Sequence, residues 1–255
     1  MKTIENRILS KNRRGYKALG VNFVFPSIET LELIGMLGGF DYIYIDGEHG
    51  AFTPETIDSI CRVACGLELT VIARVPDIQP STVIKFLDRG VMGIQGPHIE
   101  TKEQAQALVD ACLFYPEGNR SWGGGRGTFY NNSDLLNAPS SERTEFMTKA
   151  NQEMFIMAQL ETITAFQNLD EILQVQGINA FTWGPNDLAQ SMGYPGKPDH
   201  PDVLGAQIEV SKRIKEAGHG MSYDKLHEIR IHNLIVQGAK DFLRNSKELL
   251  RTDIV

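Results

Sequence analysis

The feature that most constrains this chain is a rhythm: short apolar runs alternate with longer stretches of helical spacing. A run of four to eight apolar residues bounded by turn residues is the pattern of a strand buried on both faces. Strands alternating with helices imply parallel βα units. The predicted strands are Ala18–Phe25, Tyr42–Ile45, Val71–Arg74, Val91–Ile94, Phe155–Leu160, Ala180–Trp183, Gly220–Tyr223 and Asp241–Arg244. Helices are predicted over Thr53–Cys65, Pro80–Asp88, Lys102–Phe114, Ala165–Gln174, Asp202–Ala217 and Leu226–Gln237, closed by Gly66, Gly90, Gly177, Gly218 and Gly238. Eight strands in 255 residues fit one (β/α)8 TIM barrel, an α/β fold of roughly 250 residues, as a single domain over 1–255. The last two strands are the weakest, and "KDFLRNS" is unusually polar for a barrel strand.

From Tyr115 to Ala150 the rhythm breaks into Gly-, Asn- and Ser-rich text, too long for a plain connection. Barrel active sites are built from loops at the C-terminal strand ends, so this irregular excursion is expected to be functional; a disordered surface insert is the alternative. A net charge of −7 argues against a nucleic-acid surface, which needs clustered Lys and Arg. No run approaches the ~20 apolar residues of a membrane span, and Met1 to Arg14 does not read as a signal peptide. Cys61, Cys65 and Cys112 form no C-x-x-C and are expected to be buried thiols in a reducing compartment. The expectation is a cytoplasmic protein with no membrane and no nucleic-acid partner.

Polar residues just past a buried strand are candidate catalytic groups. The second strand runs into Asp46, Gly47, Glu48 and His49, the third into Arg74, the fifth into Gln159 and Glu161, and the sixth into Gly184, Pro185, Asn186 and Asp187. Glu161 and Asp187 end neighbouring strands. Two carboxylates converging there suit an oxygen-loving Mg²⁺ or Mn²⁺ with positions left for substrate. For each acid alone, the plainer reading is a helix N-cap. Arg74 is placed to fork onto a carboxylate or stabilise an enolate, with a structural salt bridge to Asp46 or Glu48 as the alternative. His49, with two acids close by in sequence, fits a general acid/base. His98 is a weaker candidate. The Gly123-Gly124-Gly125 run lacks the strand–turn–helix frame of a nucleotide site, though Arg120 and Arg126 beside it could meet an anion. No G-x-S-x-G elbow is present, and no clear strand ends in a Schiff-base lysine.

Taken together, "GFDYIYIDGEHG", "VIARV", "FLDRGVMGIQGPHIET", "YPEGNR", "AQLET" and "WGPNDLAQSMGYPG" resemble the HpcH/HpaI family of class II, metal-dependent pyruvate aldolases, over about two-thirds of the chain. The resemblance implies that Glu161 and Asp187 bind a divalent metal (Mg²⁺ or Mn²⁺, with Co²⁺ a further option) and that Gln159 and Arg74 contact the 2-oxo acid. It implies that His49 is the catalytic histidine held by Asp46 and Asp88. Gly184 and Pro185 would meet the substrate carboxylate, and Arg120 the aldehyde portion. It also implies a homo-oligomer, trimeric or hexameric, formed by exchange of the last helix. This chain departs from the family pattern at its polar C-terminal strand, at the glycine-rich "WGGGRG" loop, and at Gly96, where a larger apolar residue is common. The expected reaction is retro-aldol cleavage of a 4-hydroxy-2-oxo acid to pyruvate and an aldehyde, through a pyruvate enolate. The alternatives are an oxaloacetate-decarboxylating condensing enzyme, citrate-forming or of cycloaddition type, and a catalytically dead barrel that only binds.

Overall fold

A computed structural model describes residues 5–132 and 137–246. Seven strands form one parallel sheet: β1 (Ala18–Phe23), β2 (Tyr42–Asp46), β3 (Thr70–Arg74), β4 (Gly93–Gly96), β5 (Phe155–Leu160), β6 (Ala180–Trp183) and β7 (Leu226–Arg230). Their order is β6-β5-β4-β3-β2-β1-β7, so chain neighbours are sheet neighbours until β7 closes against β1. The strands read apolar because both faces are covered. Outward residues such as Ile43, Ile45, Val71, Ala73 and Ile94 pack on a shell of helices. Inward residues Tyr42, Tyr44, Ile72, Phe155 and Met157 fill the interior.

The shell includes α1 (Arg7–Arg13), α2 (Ile28–Leu37), α3 (Pro54–Gly66), α4 (Pro80–Leu87) and α5 (Lys102–Cys112). Thr53 and Thr101 each start their helix with a reciprocal capping box, which fixes where the preceding loop must end. The α1 helix lies across one end of the sheet. Its cap residue Asn6 is fully buried, and the Asn6 amide donates to Met92 O (2.9 Å) and Glu153 O (3.0 Å). Ile8 then enters the interior cluster.

Several expectations are corrected, among them the burial of all three cysteines: Cys61 and Cys112 are buried, and Cys65 is exposed. The expected strand Gly220–Tyr223 contributes a single bridge, Met221 to Phe181, and then turns into a short helix, Ser222–Lys225. The segment expected as the helix Leu226–Gln237 opens as β7, because Leu226–Arg230 pairs residue for residue with Ala18–Asn22. The expected strand Asp241–Arg244 lies inside a helix, Ile231–Ser246, whose apolar residues recur at helical spacing. Among the described residues the sheet therefore has seven strands, and Gly220–Lys225 spans the interval between β6 and β7. The excursion is also more ordered than its composition suggests, with a helix at Ser140–Gln152 and a 3-10 turn at Arg126–Asn131; residues 133–136 lie outside the described part. The expected helix Ala165–Gln174 is divided at Asn168 into Ile163–Gln167 and Leu169–Ile172. Among the described residues, no helix is long and apolar enough to cross a membrane.

Candidate active site

The register aligns Asp46 with Arg74, Arg74 with Gln95, and Gln95 with Met157 across β2 to β5. Alternation along each strand turns Asp46, Arg74, Gln95 and Gln159 to the same side, where they line a cavity of about 580 Å³. Thr182, Gly184, Pro185 and Asp187 form its far wall, and His49 and Tyr44 line it too.

A continuous chain of polar contacts runs round this mouth. Asp46 accepts from Arg74 Nε (3.0 Å) and Nη2 (2.5 Å), a two-point fork, and from the His49 backbone amide (3.1 Å). Arg74 Nη1 lies 3.1 Å from Glu48 Oε2, and Glu48 Oε1 is 3.3 Å from His98 Nε2. His98 Nδ1 is 2.8 Å from Glu161 Oε1, which also accepts from the His98 amide (2.9 Å). Gln159 Nε2 donates to Glu161 Oε2, and Gln95 Nε2 donates to Gln159 Oε1. Tyr44 Oη donates to Gln95 Oε1 (3.0 Å). Burial works to raise the Asp46 carboxyl, but Arg74 and the His49 amide outweigh it and hold it below its ordinary value. Burial pushes the Tyr44 phenol well above its ordinary range, so it stays a donor.

The two acids behave differently. Glu161 is 1% exposed, and the cap of the helix that follows is Thr162, not Glu161. Asp187 is exposed, sits in the first turn of Pro185–Ser191, and has no hydrogen-bond or ion-pair partner among the described residues; the cap there is Gly184. Neither acid is the N-cap that the plainer reading allowed. Gly184 lies between them. A Cβ at that position would overlap Glu161 Oε2 and crowd Gln159 Nε2, so glycine keeps open the space beside the buried carboxylate.

Of the expected residues, His49 lines this mouth without Asp46 on its ring, and Asp88 and Arg120 lie elsewhere. The His49 ring is mostly exposed, with Nε2 3.8 Å from Glu48 Oε2; Asp46 grips the His49 backbone rather than the imidazole. Asp88 caps the C-terminus of α4, packs against Gly123 and Gly125, and makes no hydrogen bond to His49. Arg120 lines a separate cavity of about 90 Å³ with Arg126, Cys61 and Phe129. Its guanidinium stacks on Phe114 at 4.6 Å, and burial pulls its pKa down to about 10. Gly96 turns outward, and a Cβ there would come within 2.7 Å of Leu108 Cδ2; Leu108 occupies the room that a larger residue would need.

Residues 26–244 match the family model described as HpcH/HpaI aldolase/citrate lyase. The chain belongs to this family. A hydroxypyruvate/pyruvate aldolase of Sagittula stellata is 30% identical over 84% of this chain and 81% of its own length. A 2-keto-3-deoxy-L-rhamnonate aldolase of Klebsiella pneumoniae is 34% identical over 81% of this chain and 74% of its own. Among solved structures, an HpcH/HpaI aldolase/citrate lyase family protein from Burkholderia cenocepacia superposes with a TM-score of 0.82, covering 95% of this chain and 99% of that one at 23% identity.

Within this HpcH/HpaI chain, the sequence assigned no role to Tyr44 or Gln95 and no link between Glu48 and His98, though it offered Glu48 as an ion-pair partner of Arg74, as the structure has it. A signal for two of them existed. Tyr44 is two residues before Asp46 and so shares its face, and Gln95 is the lone amide in an otherwise apolar strand. The link through His98 has no sequence signature, because it depends on three loops meeting.

Proposed function

We propose that this protein is a class II pyruvate aldolase, cleaving a 4-hydroxy-2-oxo acid to pyruvate and an aldehyde and running the addition in reverse. The observation that carries this reading is the convergence of Arg74, Gln159 and Asp187 on one cavity, with buried Glu161 held at its edge. The family is generally dependent on a divalent metal. The residues fit one: Glu161 and Asp187 are hard oxygen donors suited to Mg²⁺, Mn²⁺ or Co²⁺, and Gly184 leaves room beside Glu161 Oε2. Among the described residues there is no cluster of three or more His, Cys, Asp or Glu to enclose an ion. A site of two acids leaves positions for water and substrate, as catalysis requires.

A cation held there would supply Lewis acidity toward the keto oxygen of the 2-oxo acid. Arg74, fixed by its fork to Asp46, points a guanidinium at the oxygen where negative charge develops as the enolate forms. Gln159 and the Gly184–Pro185 backbone orient the substrate carboxylate. His49, exposed at the mouth, takes the proton from the C4 hydroxyl during cleavage and returns it during addition. Asp88 as a partner for His49, and Arg120 as a contact for the aldehyde, would have to come from a second copy of the chain, since neither lines this cavity. A homo-oligomer fits that need. It also fits the exposed Leu234, Ile235, Phe242 and Leu243 on the last helix. We read the chain as one cytoplasmic domain, with Gly220–Lys225 in the eighth place of a closed barrel.

Glu161→Ala is the test. Mn²⁺ binding and pyruvate release from a 4-hydroxy-2-oxo acid are expected to fall together, the rate by about 10³-fold or more. Binding and turnover equal to the unmodified protein would end this reading. Oxaloacetate decarboxylation without aldol cleavage, assayed in parallel, would replace it with the condensing enzyme.

A further inference from the structure

Glu161 is a buried carboxylate whose two oxygens are both engaged: one accepts from Gln159, and the other accepts from the His98 amide with the His98 ring against it. The His98 backbone is left-handed (φ +51°), a conformation that residues with a Cβ rarely adopt. The effect is to aim two groups of one residue at one atom: the amide at 2.9 Å and ring Nδ1 at 2.8 Å from Glu161 Oε1. The other ring nitrogen lies 3.3 Å from Glu48 Oε1, and Glu48 in turn lies against Arg74. The imidazole is thus a spacer between two acids from different loops. It ties the Glu161 carboxylate to the side of the mouth that carries Arg74. Gln159 alone could not do this, because it engages only the other oxygen.

We infer that His98 is a positioning residue, braced by Glu48, that sets the orientation of Glu161 for a divalent cation. The inference rests on the reading of Glu161 as a metal ligand. Hydrogen-bond partners of metal ligands fix ligand orientation, and their loss typically costs 10–100-fold in metal affinity. A plain surface ion pair would carry no such penalty.

The test measures Mn²⁺ binding by the full-length protein, from the electron paramagnetic resonance signal of free Mn²⁺. His98→Gly removes the ring, keeps the backbone amide and relieves the left-handed backbone. It is expected to bind Mn²⁺ about 10–100-fold more weakly at unchanged Tm. His98→Asn restores a side-chain N–H near the Nδ1 position on a residue that tolerates the same backbone, and is expected to recover much of the loss. At saturating Mn²⁺ the kcat of both is expected to return to within a few-fold of the starting protein. Unchanged Mn²⁺ affinity in His98→Gly, or no recovery in His98→Asn, overturns the inference. If His98→Gly does not fold, Glu48→Gln decides: weaker Mn²⁺ binding supports the brace, and unchanged binding removes it. A starting protein that binds no Mn²⁺, or a Glu161→Gln variant that binds it equally well, would instead bring down the metal reading itself.

Discussion

Arg74 is the residue on which both charge and geometry at the mouth turn. Burial disfavours its charged form, yet Asp46 and Glu48 keep its pKa above the ordinary value, so it is a cation throughout the working range. Asp46→Asn removes the charge and one of the two acceptor oxygens of the fork, and leaves Glu48 as the remaining anion. A stability loss of about 1–3 kcal/mol is expected from the half-paired guanidinium. A fall in kcat of about 100-fold should accompany it as Arg74 loses its aim. The pH dependence has a definite sign. The folded Asp46 pKa is depressed, so its contribution is complete above the unfolded carboxylate value of about 4 and is lost as pH falls through the lower folded value. Thermal unfolding curves of the two proteins should therefore converge in acid. Curves that stay parallel down to acid unfolding would show that the fork contributes nothing.

At the scale of elements, legibility followed the environment of each strand. β5 and β6 were readable to the residue, and β2 and β3 to within one residue, because strands covered on both faces leave an uninterrupted apolar run that ends abruptly in charge, whereas β4, expected at Val91–Ile94, lies two residues later. That abrupt ending also made Asp46, Arg74, Gln159 and Asp187 legible as residues that line one cavity, with Glu161 beside Gln159. The C-terminal part gave no such signal. In β7, Glu228 and Arg230 line the open cavity while only Leu226 is buried, so "LHEIR" reads as a helix until its pairing with β1 is known. Asp88 and Arg120 show the converse limit: they were readable as chemistry but not as positions, while His49 lines the cavity with Asp46 on its backbone and not on its ring. The pairing of β1 with β2 offers a test of how tightly the interior is filled. Gly20 faces Tyr42 in register, and a Cβ there would overlap the phenol ring. The Tyr42 hydroxyl is bonded to Glu228 at 3.3 Å, which limits how far the ring can retreat. Gly20→Ala is expected to cost about 1–3 kcal/mol in denaturant unfolding; an unchanged midpoint would mean that the strands separate easily.

For the molecule as a whole, α1 does more than precede the barrel-like sheet. Asn6 caps α1 through its side-chain oxygen on the Ile8 and Leu9 amides, while its own NH2 reaches Met92 and Glu153, far along the chain. Its backbone amide adds a bond to the Glu153 carboxylate at 2.6 Å. Asn6→Ala leaves two carbonyls and two amides without these partners and is expected to cost about 2–3 kcal/mol. Calorimetry should then give a Tm lower by roughly 5–10 °C. A shift under a degree would mean that water replaces the asparagine without loss.

The helix that rests on Asn6 also gives the interior a direction. Among the described residues, Ile8 and its aromatic neighbours pack at one end of the interior, and the cavity lined by Arg74 and Asp187 lies at the other. A ligand that fills this cavity from its open side would have one end deeper than the other. For a molecule joined from two fragments, such a cavity would favour departure of the outer one while the inner one holds its place.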